Sequence, residues 1–99
     1  MKKYKAFAIV SFKDIIRNVP TAVIEATCYS EAYAERLYNQ ILEKLPKDRY
    51  ICLYGFNTTA IVDFFTDRLE TETDEHNRIV LLQRFILNAD IIKRSYERS

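Results

Sequence analysis

The chain is poor in glycine, and this scarcity excludes whole classes of nucleotide site. Gly55 is the single glycine among 99 residues, whereas an average chain of this length carries about seven. A dinucleotide-binding fingerprint requires three glycines, and the phosphate-binding loop of nucleotide hydrolases requires two around its lysine. The sequence therefore excludes nucleotide binding through either of these loops.

Cysteine and histidine are equally scarce. Cys28 and Cys52 are far apart, and His76, the one histidine, is distant from both. Zinc sites are built from such residues at short spacing, so we expect no metal and no cofactor. Two separated cysteines are typical of small core residues in a reducing compartment. No apolar run approaches the roughly 18 residues of a membrane span, and the N-terminus lacks a signal-peptide pattern. We therefore expect a cytoplasmic protein without membrane association.

A strong charge of either sign is also lacking. Fifteen lysines and arginines oppose fourteen aspartates and glutamates, for a formal net charge of +1. A protein with so little net charge has no whole-molecule field that would attract phosphates or imitate them. The charge balance therefore argues against a general DNA-coating protein and against a DNA mimic.

The first half of the chain contains clear structural patterns. Hydrophobic residues make up 48% of the sequence, enough for the core of one domain spanning residues 1–99. Residues 3–12 alternate with apolar groups on both faces, which predicts an interior strand, and residues 21–28 predict its hairpin partner. Helical periodicity begins at Ser30, a good N-cap, and Pro46 ends the helix.

The second half is less clear. Residues 49–54 alternate as a third strand. Residues 59–66 favour a fourth strand by their β-branched and aromatic content, with a helix as the alternative. An acidic loop at residues 67–75 precedes a long helix, capped by Thr73 and reaching about Tyr96. The predicted fold is an α+β two-layer sandwich of order ββαββα, with two helices on one face of an antiparallel or mixed sheet.

This architecture leaves apolar surface without a partner inside the chain. The predicted last helix carries a second apolar stripe of Val80, Leu87 and Ile91, and the uncovered sheet face would expose Tyr50 and Tyr54. Contiguous exposed apolar surface usually marks a protein contact. We therefore expect a small non-enzymatic protein–protein interaction module, which forms a homo-oligomer or binds and modulates a larger partner. Partner-binding residues are predicted to be Val80, Leu87, Ile91, Tyr50 and Tyr54.

No catalytic residue is expected. Cys28 lies just before a predicted helix N-terminus, where thiolates are stabilised. However, the alternation of its strand places its side chain on the face that packs on the core. His76 lies among acidic residues in the predicted first turn of the last helix, where it is exposed to water. A nucleophile without a base has no means of activation, so the sequence predicts no enzyme.

Single-stranded nucleic-acid binding is the alternative function. Basic residues cluster near the N-terminus and before the third strand, and sheet tyrosines could stack on bases. The predicted contacts are Lys3, Lys44, Lys47 and Arg49. Low glycine with high isoleucine, lysine, asparagine and tyrosine usage also suits a small accessory or inhibitor gene of an A+T-rich bacterium or its phages.

Overall fold

The computed structural model describes residues 3–96, which form one four-stranded antiparallel sheet and three α-helices. The elements are β1 (Ala6–Phe12), β2 (Val23–Cys28), α1 (Glu31–Lys44), β3 (Tyr50–Phe56), α2 (Thr59–Thr71), α3 (Glu75–Leu87) and β4 (Asp90–Arg94), with a short 3-10 turn at Val19–Thr21. The order is ββαβααβ, so the α+β class is confirmed and the predicted order ββαββα is wrong.

The strand β1 lies inside the sheet. The strand order is β2-β1-β3-β4, and all seven residues of β1 are buried. Phe7 pairs with Cys28 of β2 on one side and with Gly55 of β3 on the other. A strand that is buried on both faces usually has a nearly continuous apolar sequence, and β1 has such a sequence. The predicted interior strand and its hairpin with β2 are both confirmed.

The sheet is covered on both faces, whereas the sequence predicted helices on one face only. Two separate groups of buried side chains fill the space between sheet and helices. The α1 side contains Phe7, Ile9, Ala34, Tyr38, Ile51 and Leu53. The α2 and α3 side contains Ala6, Ala8, Val10, Phe12, Cys52, Tyr54, Phe56, Val62, Phe65, Leu69, Leu82 and Phe85. Because β1 and β3 carry apolar side chains on both faces, a helix is needed on each side to exclude water.

The first helix forms where its periodicity predicted. The Ser30 hydroxyl accepts the backbone N–H of Tyr33 at 3.4 Å, as expected of an N-cap. Ala34 and Tyr38, four residues apart, are the buried residues of α1. This spacing places both side chains on one face of the helix, against the sheet.

Residues 59–66 are helical, so the favoured strand is wrong and the alternative is correct. Val62, Phe65 and Leu69 are the buried residues of α2, and their spacing of three and four suits a helix. Thr58 caps the helix by accepting the backbone N–H of Ala60. The β-propensity of the segment is weaker than the gain from packing its apolar stripe on α3 and the sheet. As a result, much of the predicted acidic loop lies in α2.

The predicted long helix to Tyr96 is also wrong. Asp74, not Thr73, caps α3 by accepting the backbone N–H of Asn77 at 3.0 Å. At the other end, the Asn88 side chain donates to the Arg84 carbonyl at 2.8 Å and satisfies a terminal acceptor. The chain then returns as β4, antiparallel to β3. Helix periodicity alone could not reveal this strand, because its pairing partner lies more than thirty residues earlier in the sequence.

Each edge strand is interrupted by an irregularity in its pairing. In β2 the register shifts opposite Ile9 and Val10, which leaves Glu25 without a paired residue. In β4 the register shifts opposite Leu53 and Tyr54, which leaves Ile92 without one. Such bulges twist an edge and hinder the addition of another strand. The open edges are therefore poor sites for strand pairing between molecules.

Replacing Gly55 by alanine should destabilise the protein by steric overlap. A Cβ atom there would lie 2.6 Å from Tyr4 Cγ and 2.8 Å from Ile92 Cδ1. Tyr4 cannot move freely, because its hydroxyl donates to Asp90 at 3.0 Å. We expect Gly55→Ala to lower the free energy of unfolding by about 1–3 kcal/mol in urea titrations. In a Tyr4→Ala background the same substitution should cost less, and an equal cost there would contradict this explanation.

Candidate functional site

The residues predicted to bind a partner do not form one surface. Leu87 is 75% exposed at the end of α3, and Ile91 is 45% exposed in β4. Val80 and Tyr50 are half-buried, and Tyr54 is 2% exposed in the core. The stripe expected on one long helix is divided between α3 and β4, because the helix ends at Leu87.

The two tyrosines of β3 face inward because α2 and α3 cover their side of the sheet. The Tyr50 ring contacts the rings of Phe12 and Tyr96, with centroid distances of 6.3 and 5.8 Å. Tyr54 belongs to the buried group on the same face. Neither side chain forms the exposed stacking platform that the sequence suggested.

An isoleucine that the sequence analysis did not select extends the exposed apolar surface. Ile16, in the connector between β1 and β2, is 91% exposed. It lines a cleft of about 250 Å³ together with Ile86, Ala89, Ile91 and Tyr96. Leu87 is the neighbour of Ile86 at the end of α3. We use the term apolar patch for three exposed residues, namely Ile16 and Ile91, which line the cleft, and Leu87, which follows the lining residue Ile86 in sequence.

The position of Ile16 follows from the local turn. A carboxylate oxygen of Asp14 accepts the backbone N–H groups of Ile16 at 2.9 Å and Arg17 at 3.2 Å. Aspartate commonly holds turns in this way. The exposed position of Ile16 could have been identified from the sequence. The signal is an isoleucine two residues after a turn-forming aspartate, in a segment without periodicity.

The charged side chains nearest the apolar patch in sequence are mainly arginines. Arg17 follows Ile16, and Arg84 lies one helical turn before Leu87. Arg94, in the same strand as Ile91, lies over the ring of Tyr96, a lining residue of the cleft. Asp14 is the nearest carboxylate to Ile16 in sequence, and it is engaged by the backbone of the turn. Asp90, which precedes Ile91, is the second nearby carboxylate and accepts a hydrogen bond from the Tyr4 hydroxyl. The patch is therefore accompanied in sequence by three arginines and by two aspartates that are already hydrogen-bonded.

A second cleft, of about 460 Å³, lies beneath the C-terminal end of α1. It is lined by Glu25, Gln40, Ile41, Lys44, Leu45, Pro46 and Arg49, and we call it the polar cleft. At its base the Arg49 guanidinium donates to the hydroxyl of buried Ser11 through Nε at 3.2 Å and Nη2 at 2.9 Å. The Ser11 hydroxyl in turn donates to a Glu25 carboxylate oxygen at 2.5 Å. Ser11 is the one polar residue within β1, a signal that the sequence analysis overlooked.

The predicted nucleic-acid contacts do not converge. Lys44 and Arg49 line the polar cleft, and Lys47 is exposed in the loop between α1 and β3. Lys3 lies at the opposite end of the sheet, because the backbone N–H of Lys5 donates to the carbonyl at the far end of β3, that of Phe56. With Tyr54 buried, these residues do not form a continuous path for a nucleic-acid strand.

The other candidate reactive groups lie apart. The Cys28 thiol is partly buried and donates to the Ser30 carbonyl at 3.6 Å, while His76 is exposed at the start of α3. Among residues 3–96, no group of three histidine, cysteine or carboxylate side chains is placed to hold a metal ion. Within that same range, no helix is long and apolar enough to cross a membrane.

Comparison of the chain with protein-family models, with curated proteins and with solved structures gives no match.

The buried pair Cys52 and Tyr54 should make the protein sensitive to alkali. Burial raises the pKa of the Cys52 thiol from its ordinary value of 9.0 to about 11, although Tyr54 and Arg94 oppose the shift. Burial and the neighbouring Cys52 also raise the pKa of Tyr54. Stability from a raised pKa is fully present below the unfolded-state pKa and is lost as pH rises through the folded-state pKa.

We expect the free energy of unfolding to fall between pH 9 and 11, by at most roughly 1.4 kcal/mol per pH unit for one thiol. Urea titrations of Cys52→Ala should show a shallower fall, because the variant has no buried thiol to ionise. Cys28→Ala serves as the control and should retain the wild-type slope. Identical slopes for Cys52→Ala and wild type would contradict the assignment.

Proposed function

We propose that this protein is a non-enzymatic protein-binding module that contacts its partner through the apolar patch. The supporting observation is the 91% exposure of Ile16 in a cleft that it lines together with Ile91. Leu87, which is 75% exposed, follows the lining residue Ile86 in sequence. Burial of such side chains on binding stabilises a complex by about 1.5–3 kcal/mol each. Exposed apolar groups concentrated in one region are typical of protein contacts.

The other exposed apolar side chains are more scattered or have local contacts. Tyr29 donates to a carboxylate oxygen of Asp63 at 2.5 Å. The rings of Tyr33 and Phe64 lie beneath Arg36 and Arg68 of their own helices, with distances of 5.7 and 5.2 Å to the ring centroids. Single exposed apolar residues are normal on protein surfaces and need no partner. This contrast favours the apolar patch.

The charges near the apolar patch indicate the chemistry of the partner. Arg17, Arg84 and Arg94 lie close to it in sequence, and Arg94 also contacts Tyr96 of the cleft. The nearby carboxylates, Asp14 and Asp90, already accept hydrogen bonds from the turn backbone and from the Tyr4 hydroxyl. Complementary potentials guide association, and like charges facing each other disfavour it. A second copy docking the same patch would bring arginines against arginines. The proposed partner is therefore a different protein with an apolar ridge flanked by carboxylates.

Glutamate substitutions in the apolar patch should abolish partner capture without unfolding the chain. We expect immobilised wild-type protein to retain a defined partner from an extract of its native host, and Ile16→Glu and Leu87→Glu to bind the purified partner at least about tenfold more weakly. Leu42→Glu, at an exposed site on α1, is the matched control and should bind normally. Circular dichroism melts check that all variants fold.

The identity and behaviour of the captured protein provide the decisive results. Support requires a carboxylate-flanked apolar contact surface and affinity that falls with added salt. Equal binding by patch variants and wild type would overturn the proposal. Light scattering across a tenfold concentration range should show a monomer. A dimer that Leu87→Glu dissociates would assign the patch to self-association and overturn the choice of partner.

A further inference from the structure

We infer that the polar cleft is a binding site for a small aliphatic α-amino acid, recognised as a zwitterion. The inference goes beyond protein binding and concerns a different region of the molecule. It depends on three features at the C-terminal end of α1, namely a guanidinium that forms no direct ion pair, a carboxylate linked to it through a serine hydroxyl, and an aliphatic wall.

The guanidinium of Arg49 is held in place by uncharged acceptors. It donates twice to the Ser11 hydroxyl, and Nη2 also donates to the Thr21 carbonyl at 3.2 Å. Within residues 3–96 no carboxylate lies within ion-pair distance of it. The Glu25 carboxylate reaches the guanidinium only through the Ser11 hydroxyl, and a partly buried charge is normally neutralised by a direct counter-ion. These bonds use the hydrogens of Nε and Nη2, so Nη1 is the group through which Arg49 would donate to the carboxylate of a ligand.

Ser11 fixes the relative positions of the positive and negative groups. Its side chain is completely buried. A hydroxyl has one proton, and that proton is directed to Glu25, so the lone pairs of the oxygen accept from Arg49. Glu25 is also the residue of β2 that the register shift leaves without a paired residue in β1. The cleft thus presents a cation and an anion that are bound to the same serine hydroxyl.

The remaining lining residues suit an aliphatic ligand body. Ile41, Leu45 and Pro46 form an apolar wall, and Lys44 adds a second cation. A volume of about 460 Å³ lies in the range of small-molecule sites, which combine apolar walls with a few converging polar groups. A ligand with a carboxylate, an ammonium group and a branched aliphatic side chain would satisfy all three features.

Glu25 distinguishes a zwitterion from a simple anion. Inorganic phosphate or a plain carboxylic acid would contact Arg49 and Lys44, yet would meet repulsion from the Glu25 carboxylate without compensation. The ammonium group of an amino acid converts that repulsion into attraction. Discrimination between these ligands is therefore the property that identifies the site.

Titration of the isotope-labelled protein, followed by NMR, tests the inference directly. The probes are leucine, isocaproate, which lacks the ammonium group, isoamylamine, which lacks the carboxylate, and inorganic phosphate. We expect leucine to shift the amide signals of Ser11, Leu45 and Arg49 with saturation in the millimolar range or below. Isocaproate should bind more weakly, and isoamylamine and phosphate should leave these signals unchanged. The amide of Leu87, in the apolar patch, should not respond.

Three variants assign the charges. Arg49→Gln should weaken leucine binding at least about tenfold, because it removes a charge-assisted contact. Glu25→Gln should weaken leucine binding and leave isocaproate binding unchanged or stronger, a result that a merely structural role would not produce. Lys47→Gln, at an exposed neighbouring position outside the cleft lining, is the control and should bind like wild type. If Arg49→Gln fails to fold, Glu25→Gln still provides the test.

Several results would overturn the inference. Absence of leucine-dependent shifts at the cleft would exclude an aliphatic amino-acid site. Equal affinity for leucine and isocaproate would remove the role of the ammonium group, and a response to phosphate alone would identify a simple anion site. Unchanged leucine binding in both Arg49→Gln and Glu25→Gln would place the ligand elsewhere.

Discussion

The two inner strands carry large apolar side chains on both faces, and the rest of the structure depends on covering them. Every residue of β1 is buried, and six of the seven residues of β3 are buried. A sheet with two apolar faces is stable only between two layers of other elements. The helix α1 covers one face, and the α2 and α3 pair covers the other. The surplus apolar surface on the sheet is thus buried within the chain itself.

The two candidate sites lie where this covering is incomplete. On one face α1 ends at Lys44, close to the position of Ser11 in β1, and the space beside it holds Arg49 and the polar cleft. On the other face α3 ends at Leu87, and the chain returns through β4, which leaves Ile16 and Ile91 at an open cleft. The positions at which α1 and α3 end therefore determine where the two clefts open on the surface. Both sites follow from the same arrangement of layers.

Local patterns predicted the first half of the fold well and the second half poorly. The alternation in residues 3–12 and the cap at Ser30 depend on neighbours in sequence, and both appear as β1 and α1. The residue types in 59–66 favour a strand. The segment is a helix because its apolar residues, spaced three and four apart, pack on α3 and the sheet. The strand β4 has its partner in β3, so its pairing could not be read from the periodicity of its own segment. The candidate sites were predicted only in part, with Leu87, Ile91, Lys44 and Arg49 named and Ile16 and Ser11 missed.

The sequence by itself determined the α+β class, the central hairpin, the first helix and the absence of glycine-rich phosphate loops, because composition and short-range periodicity are sufficient for these. The tertiary structure decided which faces of the sheet are covered, where the last helix ends and which charged groups meet. Ser11, Glu25 and Arg49 belong to β1, to β2 and to the loop before β3, and strand pairing brings them together. The physical reason is that burial and electrostatics depend on distances in space, which strand register and helix packing set, and not on spacing along the chain.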